Sequence, residues 1–256
     1  MAKLEIHQFP CLSDNFGVLI HDSTHNVTAS IDAPDAGAVD DALNHKGWRL
    51  THILTTHHHA DHTGGNLALK QASGCKIVGP RGEAGKIPGI DQTVAEGDMV
   101  PFGSFTFKVL DTPGHTAGHI SYWCPTAAVA FVGDTLFAIG CGRVIEGDAE
   151  MMWQSLKKLM ALPTETSVYC GHEYTQANAR FALTIEPENE ALVRRAKEVD
   201  RLRSAGEATL PTKLGIELET NPFLRPHVAA IQNRLGMVGK PDWQIFGEIR
   251  ERKNRG

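Results

Sequence analysis

The sequence predicts an α/β fold that carries its chemistry at the ends of strands. Two observations predict it. Four times a short apolar run stops and a glycine-flanked histidine or aspartate follows at once: 52–54 before the stretch at His57, 105–110 before His115, 127–132 before Asp134, and 167–170 before His172. Beyond Tyr174 the composition turns helical, with Leu192, Ala196, Val199 and Leu202 at helical spacing. Strand ends are where α/β folds usually place their sites. If the four strands share a sheet and a direction, their polar termini converge on one edge.

Whole-chain properties narrow the classes. The 256 residues suit one large domain or a domain with a smaller companion, and 41% hydrophobic residues supply a core. A formal net charge of -5 does not suggest a nucleic-acid partner. The N-terminus has no long apolar core of a signal peptide, and no stretch approaches a membrane span. The five cysteines are far apart, form no C-x-x-C pair and are odd in number, which argues for a reducing compartment. The expectation is a cytoplasmic protein with no membrane partner.

In order along the chain, 16–20 and 27–31 read as strands around a polar turn at 22–26. Residues 36–46 read as a helix stopped by Gly47, and 66–72 as a helix beyond Gly65. Residues 76–78 read as a strand and 80–97 as loop. Further helices are expected over 187–203, 226–235 and 243–252, the last with Trp243, Phe246 and Ile249 on one face.

The densest chemistry lies in residues 57–62, which hold four histidines and one aspartate. Imidazole and carboxylate are the usual ligands of zinc and related divalent metals. On an extended segment residues two apart share a side, so His57 and His59 can grip one metal while His58 points away. Asp61 and His62 follow where the chain turns, towards a neighbouring position. A tag or storage tract would be terminal and uninterrupted; this one is internal and contains Asp61. With His115, Asp134 and His172 the candidates number seven, more than one metal needs. His119, four residues past His115, reads as a supporting residue.

The stretch resembles the signature of the metallo-β-lactamase superfamily. Thr112-Pro113-Gly114-His115-Thr116, Phe131-Val132-Gly133-Asp134-Thr135-Leu136-Phe137, Gly140-Cys141-Gly142-Arg143 and Cys170-Gly171-His172-Glu173-Tyr174-Thr175 are similar to its glyoxalase II (hydroxyacylglutathione hydrolase) branch. The resemblance implies an αββα sandwich over 1–173 and a small α-helical, glutathione-binding domain over 174–256. It implies two divalent metals, zinc first, with iron or manganese as alternatives. His57, His59 and His115 would hold one, Asp61, His62 and His172 the other, and Asp134 would bridge them. It also implies that Arg143, Tyr174, Arg250 and Lys253 contact the substrate. Ile145 departs from the family, which often has Tyr there.

The activity so implied is hydrolysis of S-D-lactoylglutathione to D-lactate and glutathione, the second step of methylglyoxal detoxification. The nucleophile would be a hydroxide between two metals about 3.5–4 Å apart. Asp134 would bridge the metals and Asp61 orient the hydroxide, the two catalytic carboxylates. The expected partner is this small-molecule thioester, and the chain is expected to be a monomer. No Gly-x-Ser-x-Gly occurs, which removes the serine-hydrolase route. Three rivals remain. A β-lactamase would be expected to carry a signal peptide. A persulfide dioxygenase of the same fold would use one iron and not need seven ligands. A non-enzymatic metal module would not need the basic residues near the C-terminus.

Overall fold

The chain is described here by a computed structural model covering residues 2–255. It divides into two compact units. One holds the residues up to Asp111 and Thr116–Gly133; the other holds Thr112–His115 and the described residues from Asp134 onward.

The first unit contains two ladders of strands. The first is ordered β1 (Glu5–Cys11), β2 (Asn15–Asp22), β3 (Val27–Ile31), β4 (His52–Leu54), β5 (Lys76–Pro80), β6 (Gln92–Val94). Strands β1–β3 pair antiparallel through short turns, and β3–β6 pair parallel. Parallel neighbours need crossovers, and helices α1 (Ala36–Lys46) and α3 (Asn66–Ser73) supply two of them. Asp35 caps α1 by accepting from Ala38 N, and Gly47 ends it at φ 67°, a left-handed conformation that suits glycine. Val39 and Leu43 of α1 and Leu69 of α3 pack on Leu19, Ile53 and Ile77 of the sheet in one core cluster. Ile53 is fully buried, so Ile53→Ala would cost about 2–5 kcal/mol in lost packing.

The second ladder is antiparallel: β7 (Met99–Phe102), β8 (Phe105–Asp111), β9 (Ile120–Cys124) and β10 (Val129–Phe131). Phe102, Phe107 and Phe131 form a buried aromatic row on it. The two ladders meet at Tyr122, whose buried hydroxyl donates to Thr55 O at 2.9 Å. Ile120 N also donates to Thr56 O at 3.0 Å, so the exit of β4 and the entry of β9 share one rim. This corrects the one-sheet expectation. Strand β4 pairs parallel with β3 and β5, whereas β8 and β10 belong to the other ladder and run the same way on either side of β9.

The second unit opens with a short hairpin, β11 (Leu136–Phe137) and β12 (Gly140–Cys141), followed by α4 (Ala149–Met160). A two-stranded pair, β13 (Ser167–Tyr169) and β14 (Thr212–Lys213), flanks α5 (Thr175–Ile185) and α6 (Glu190–Ser204). Helices α7 (Leu214–Thr220), α8 (Ala229–Leu235) and α9 (Asp242–Arg255) follow. Asp148 caps α4, and its inner face is Met152, Trp153, Leu156 and Leu159. Trp153 stacks on Phe246 of α9 at 6.0 Å. Helix α6 starts at Glu190 rather than Pro187, because the Asn189 side chain accepts from Leu192 N and sets the first turn there. On α9 the inner face is Ile245, Phe246, Ile249 and Arg250; Trp243 is only half-buried. Strands β6, β7, β9, β11, β12 and β14 and helices α4, α5 and α7 are among the additions to the expected elements. The five cysteines are buried and form no disulfide. Among the described residues no helix is long and apolar enough to cross a membrane.

Candidate active site

In the first unit the chain leaves β4 through Thr55 and Thr56, both buried, and presents His57, which is also fully buried. Its Nε2 lies 3.1 Å from His59 Nδ1, so two ring nitrogens face a common point, as their alternation predicts. His57 Nδ1 is engaged by Thr56 Oγ1 at 3.1 Å. The chain then turns into one helical turn, α2 (Ala60–Thr63), which carries Asp61 and His62. His62 is buried, and its Nδ1 donates to Asp32 Oδ2 at 2.8 Å. His58 turns the other way: its backbone N and its Nδ1 lie 2.8 and 2.9 Å from Glu83 Oε2. His119 stacks on His57 at 4.8 Å.

Asp32 and Glu83 hold the histidine stretch in place, and the sequence patterns do not announce them. Asp32 sits directly after β3 at φ 56° and is 4% exposed. Besides His62 it accepts from Thr56 N at 2.7 Å and Thr56 Oγ1 at 2.9 Å. Three donors compensate the burial of its charge. The bond to His62 Nδ1 fixes that ring's tautomer and leaves Nε2 as its acceptor nitrogen. Glu83, 3% exposed, ties the backbone of His58 to Gly118 N, which donates to its other oxygen at 2.8 Å. The one signal for Asp32 in the sequence is its place at a strand end; Glu83 has none.

In the second unit His115, Asp134 and His172 come together. Asp134 Oδ2 lies 3.5 Å from His115 Nε2 and 3.3 Å from His172 Nε2, and all three residues are buried. His115 Nδ1 donates to Arg143 O at 2.9 Å, which again leaves Nε2 facing inward. A Cβ at Gly142 would stand 1.9 Å from Asp134 O, so only glycine lets the chain pass there. The His172 ring lies flat on Tyr174, 4.7 Å away and 3° from parallel.

His115 and Asp134 line a cavity of about 660 Å³ whose wall also includes Arg143, Tyr174, Arg250 and Lys253. The four residues expected to hold the substrate therefore share one pocket with two of the expected ligands. The basic C-terminal residues are not a frayed tail, for α9 runs to Arg255, although Arg255 itself is exposed. Arg250 is 5% exposed; its Nη1 donates to Cys141 O at 2.9 Å and its guanidinium sits 5.3 Å over the Phe223 ring. The Lys253 ammonium lies 5.3 Å over Phe181, and burial, then Arg250, lowers its pKa. Ile145 is half exposed in the wall and offers no hydroxyl. Cys141 also lines the cavity, and burial pushes its thiol up to about 11 against the partial pull of Arg250.

Comparison with known proteins assigns both parts of the chain. The metallo-β-lactamase superfamily matches residues 28–172, and the hydroxyacylglutathione hydrolase C-terminus matches 173–256. Hydroxyacylglutathione hydrolase of Brucella anthropi is 59% identical over 98% of this chain and 97% of its own length. The chain belongs to the hydroxyacylglutathione hydrolase family. Its Brucella ovis relative is 58% identical over 98% of each chain. Among solved structures, ETHE1 from Myxococcus xanthus superposes with a TM-score of 0.71 at 29% identity, covering 98% of this chain and 91% of that one. TTHA1623, solved in a di-iron-bound form, has a TM-score of 0.62 at 26% identity, covering 86% of this chain and all of that one. The fold is thus the metallo-β-lactamase αββα fold with the helical C-terminal domain of the hydroxyacylglutathione hydrolase family.

Proposed function

We infer that the chain hydrolyses the thioester of S-D-lactoylglutathione, giving D-lactate and glutathione, the second step of methylglyoxal detoxification. The observation that carries this reading is the cavity that joins His115 and Asp134 to Arg143, Tyr174, Arg250 and Lys253. A pocket with imidazole and carboxylate on one part of its wall and three cations on another suits a ligand with a reactive acyl group and an anionic peptide. Family membership at 59% identity supports the same chemistry.

The donor set fits divalent metal. It consists of imidazoles and carboxylates, and His57, His62 and His115 each have Nδ1 engaged by a neighbouring oxygen, which directs Nε2 of each ring to the other candidate ligands as coordination requires. In this reading His57, His59 and His115 hold one ion, Asp61, His62 and His172 hold the second, and Asp134 serves both. Zinc is the expected metal, with iron and manganese compatible with the same donors. Bound metals supply acidification of water and polarisation of the thioester carbonyl. The protein's own residues do the rest. Asp61, half-exposed beside Asn15 Nδ2, orients the attacking water. Arg143, Arg250 and Lys253 face the two glutathione carboxylates, and Tyr174 borders the peptide. Water oxygen adds to the carbonyl carbon, the C–S bond breaks, and glutathione leaves as a weakly basic thiolate that needs no separate general acid.

We assign the catalytic part to 1–173 and the substrate part to 174–256, in a cytoplasmic monomer. The matched ranges 28–172 and 173–256 support the division, and five unpaired cysteines support the compartment. The test is the loss of thioester absorbance with S-D-lactoylglutathione, before chelation, after it, and after metal is restored. Turnover that vanishes and returns is expected. A metal-loaded protein that leaves the thioester intact overturns the reading.

A further inference from the structure

The 136–141 hairpin connects Asp134 to Arg143, and two of its residues, Phe137 and Cys141, line the cavity. It is too short to hold itself. Its turn passes through Ile139 at φ 55°, a left-handed conformation that a β-branched residue adopts only when its surroundings impose it.

Buried side chains from distant helices impose it. Asn178 Nδ2 donates to Ala138 O at 3.0 Å. Asn221 Nδ2 donates to Gly140 O at 2.9 Å and Phe137 O at 3.2 Å. Ile139 N donates to Glu217 Oε2 at 2.8 Å. Glu217 is fully buried, and each of its oxygens has two donors. Oε2 accepts from Ile139 N and from Asn221 Nδ2 at 3.0 Å. Oε1 accepts from Thr212 Oγ1 at 2.7 Å and from the Arg195 guanidinium. A buried carboxylate with a cation and three further donors is compensated, and removing it leaves all four donors without their shared acceptor. Neither Glu217 nor Asn221 borders the cavity.

We propose that Glu217, seated on Arg195, is a positioning residue for substrate binding. It holds the hairpin in its left-handed turn and thereby sets the wall that leads to Arg143. The proposal rests on the glutathione reading of the cavity. Glu217→Gln is the telling variant because it keeps the volume and removes an acceptor. Its amide NH₂ must face either Arg195 or Ile139 N–H. Facing a cation is worse, so the hairpin loses its acceptor.

The metal-loaded full chain is assayed with a glutathione thioester and with a short thioester lacking the peptide, and S-methylglutathione binding is measured by calorimetry. KM for the glutathione thioester and the S-methylglutathione Kd should each rise about tenfold, the effect of one lost charge-assisted bond to a binding element. The kcat and the short thioester should change little. Thr212→Val removes a bond from the same carboxylate without touching the hairpin; it should lower Tm and leave KM alone. If Glu217→Gln does not fold, Asn221→Ser removes the donors to Phe137 O and Gly140 O and should give the same split. Equal losses on both thioesters, unchanged S-methylglutathione binding in a folded Glu217→Gln, or a matching KM rise in Thr212→Val would each overturn the proposal. A wild-type chain that neither hydrolyses the glutathione thioester nor binds S-methylglutathione would instead remove the reading beneath it, and the proposal with it.

Discussion

Asp32→Asn should weaken metal binding without unfolding the protein, and the geometry gives both halves of that statement. Asp32 accepts Thr56 N on Oδ1, and Thr56 Oγ1 and His62 Nδ1 on Oδ2. A backbone N–H can only donate, so the asparagine oxygen must take the Oδ1 position. Its NH₂ then faces Thr56 Oγ1, which can accept, and His62 Nδ1, which can accept only if the ring changes tautomer. The proton moves to Nε2, the nitrogen needed for coordination. Asparagine tolerates the φ of 56°, so no backbone strain is added, unlike Asp32→Ala. The expected loss is about 10–100-fold in affinity for the ion assigned above to His62, or about 1.4–2.7 kcal/mol. Metal-free stability should fall by about 1–3 kcal/mol as charge-assisted bonds become neutral ones. Competition of the purified protein with a chromophoric zinc chelator reads the first quantity, and thermal melting of the metal-free protein reads the second. A folded variant with zinc affinity within about twofold of wild type refutes the tautomer reasoning.

Lys253→Ala should raise KM for the glutathione thioester about tenfold and leave kcat and a short thioester nearly unchanged. Arg250→Ala is a poorer probe, because Arg250 also holds Cys141 O and its loss removes a hairpin bond together with a charge. The Lys253 pKa is lowered, so its positive charge is lost as pH rises through a value below that of free lysine. KM should therefore climb on the alkaline side in wild type and stay flatter in Lys253→Arg, as initial rates across alkaline pH will show. Asp22 gives the acid limb. Burial pushes its carboxyl up, but Ser104 N, His25, the Ser104 hydroxyl and Thr24 N together outweigh burial and hold it well below the usual range. A depressed folded pKa means stability that is full above about pH 3.9 and lost below it. The Tm advantage of wild type over Asp22→Asn should be constant above that pH and shrink beneath it.

The sequence is most legible where one local pattern decides the structure. Helix α1 is readable to both ends because Gly47 must adopt a left-handed cap, and β4 because three residues lie between a polar turn and the histidines. Strands β6 and β7 are three and four residues long, too short for alternation to stand out, and β7 contains Pro101. Helix α4 carries a plain apolar stripe, but no ligand follows it, so it falls outside the strand-and-ligand pattern. In the candidate site the histidines are legible because imidazoles rarely crowd so closely except around a metal. The residues that hold them are not. Asp32 acts on a ring 30 positions away, and Glu217 acts on a backbone nitrogen 78 positions away. Such bonds exist only once the fold has brought the partners together, and no local periodicity encodes them.

Cys141 has a consequence for chemical selectivity. An enzyme that receives thioesters all day exposes its own sulfur to acyl exchange: a thiolate in the pocket would capture the lactoyl group and become a dead-end acyl-protein. With its pKa pushed up to about 11, Cys141 stays a thiol at neutral pH. An ordinary thiol would be ionised at the per cent level. The neighbouring Arg250 works against this protection, so burial does more here than pack a small side chain. It keeps a nucleophile silent beside an electrophile, leaving water to take the acyl group.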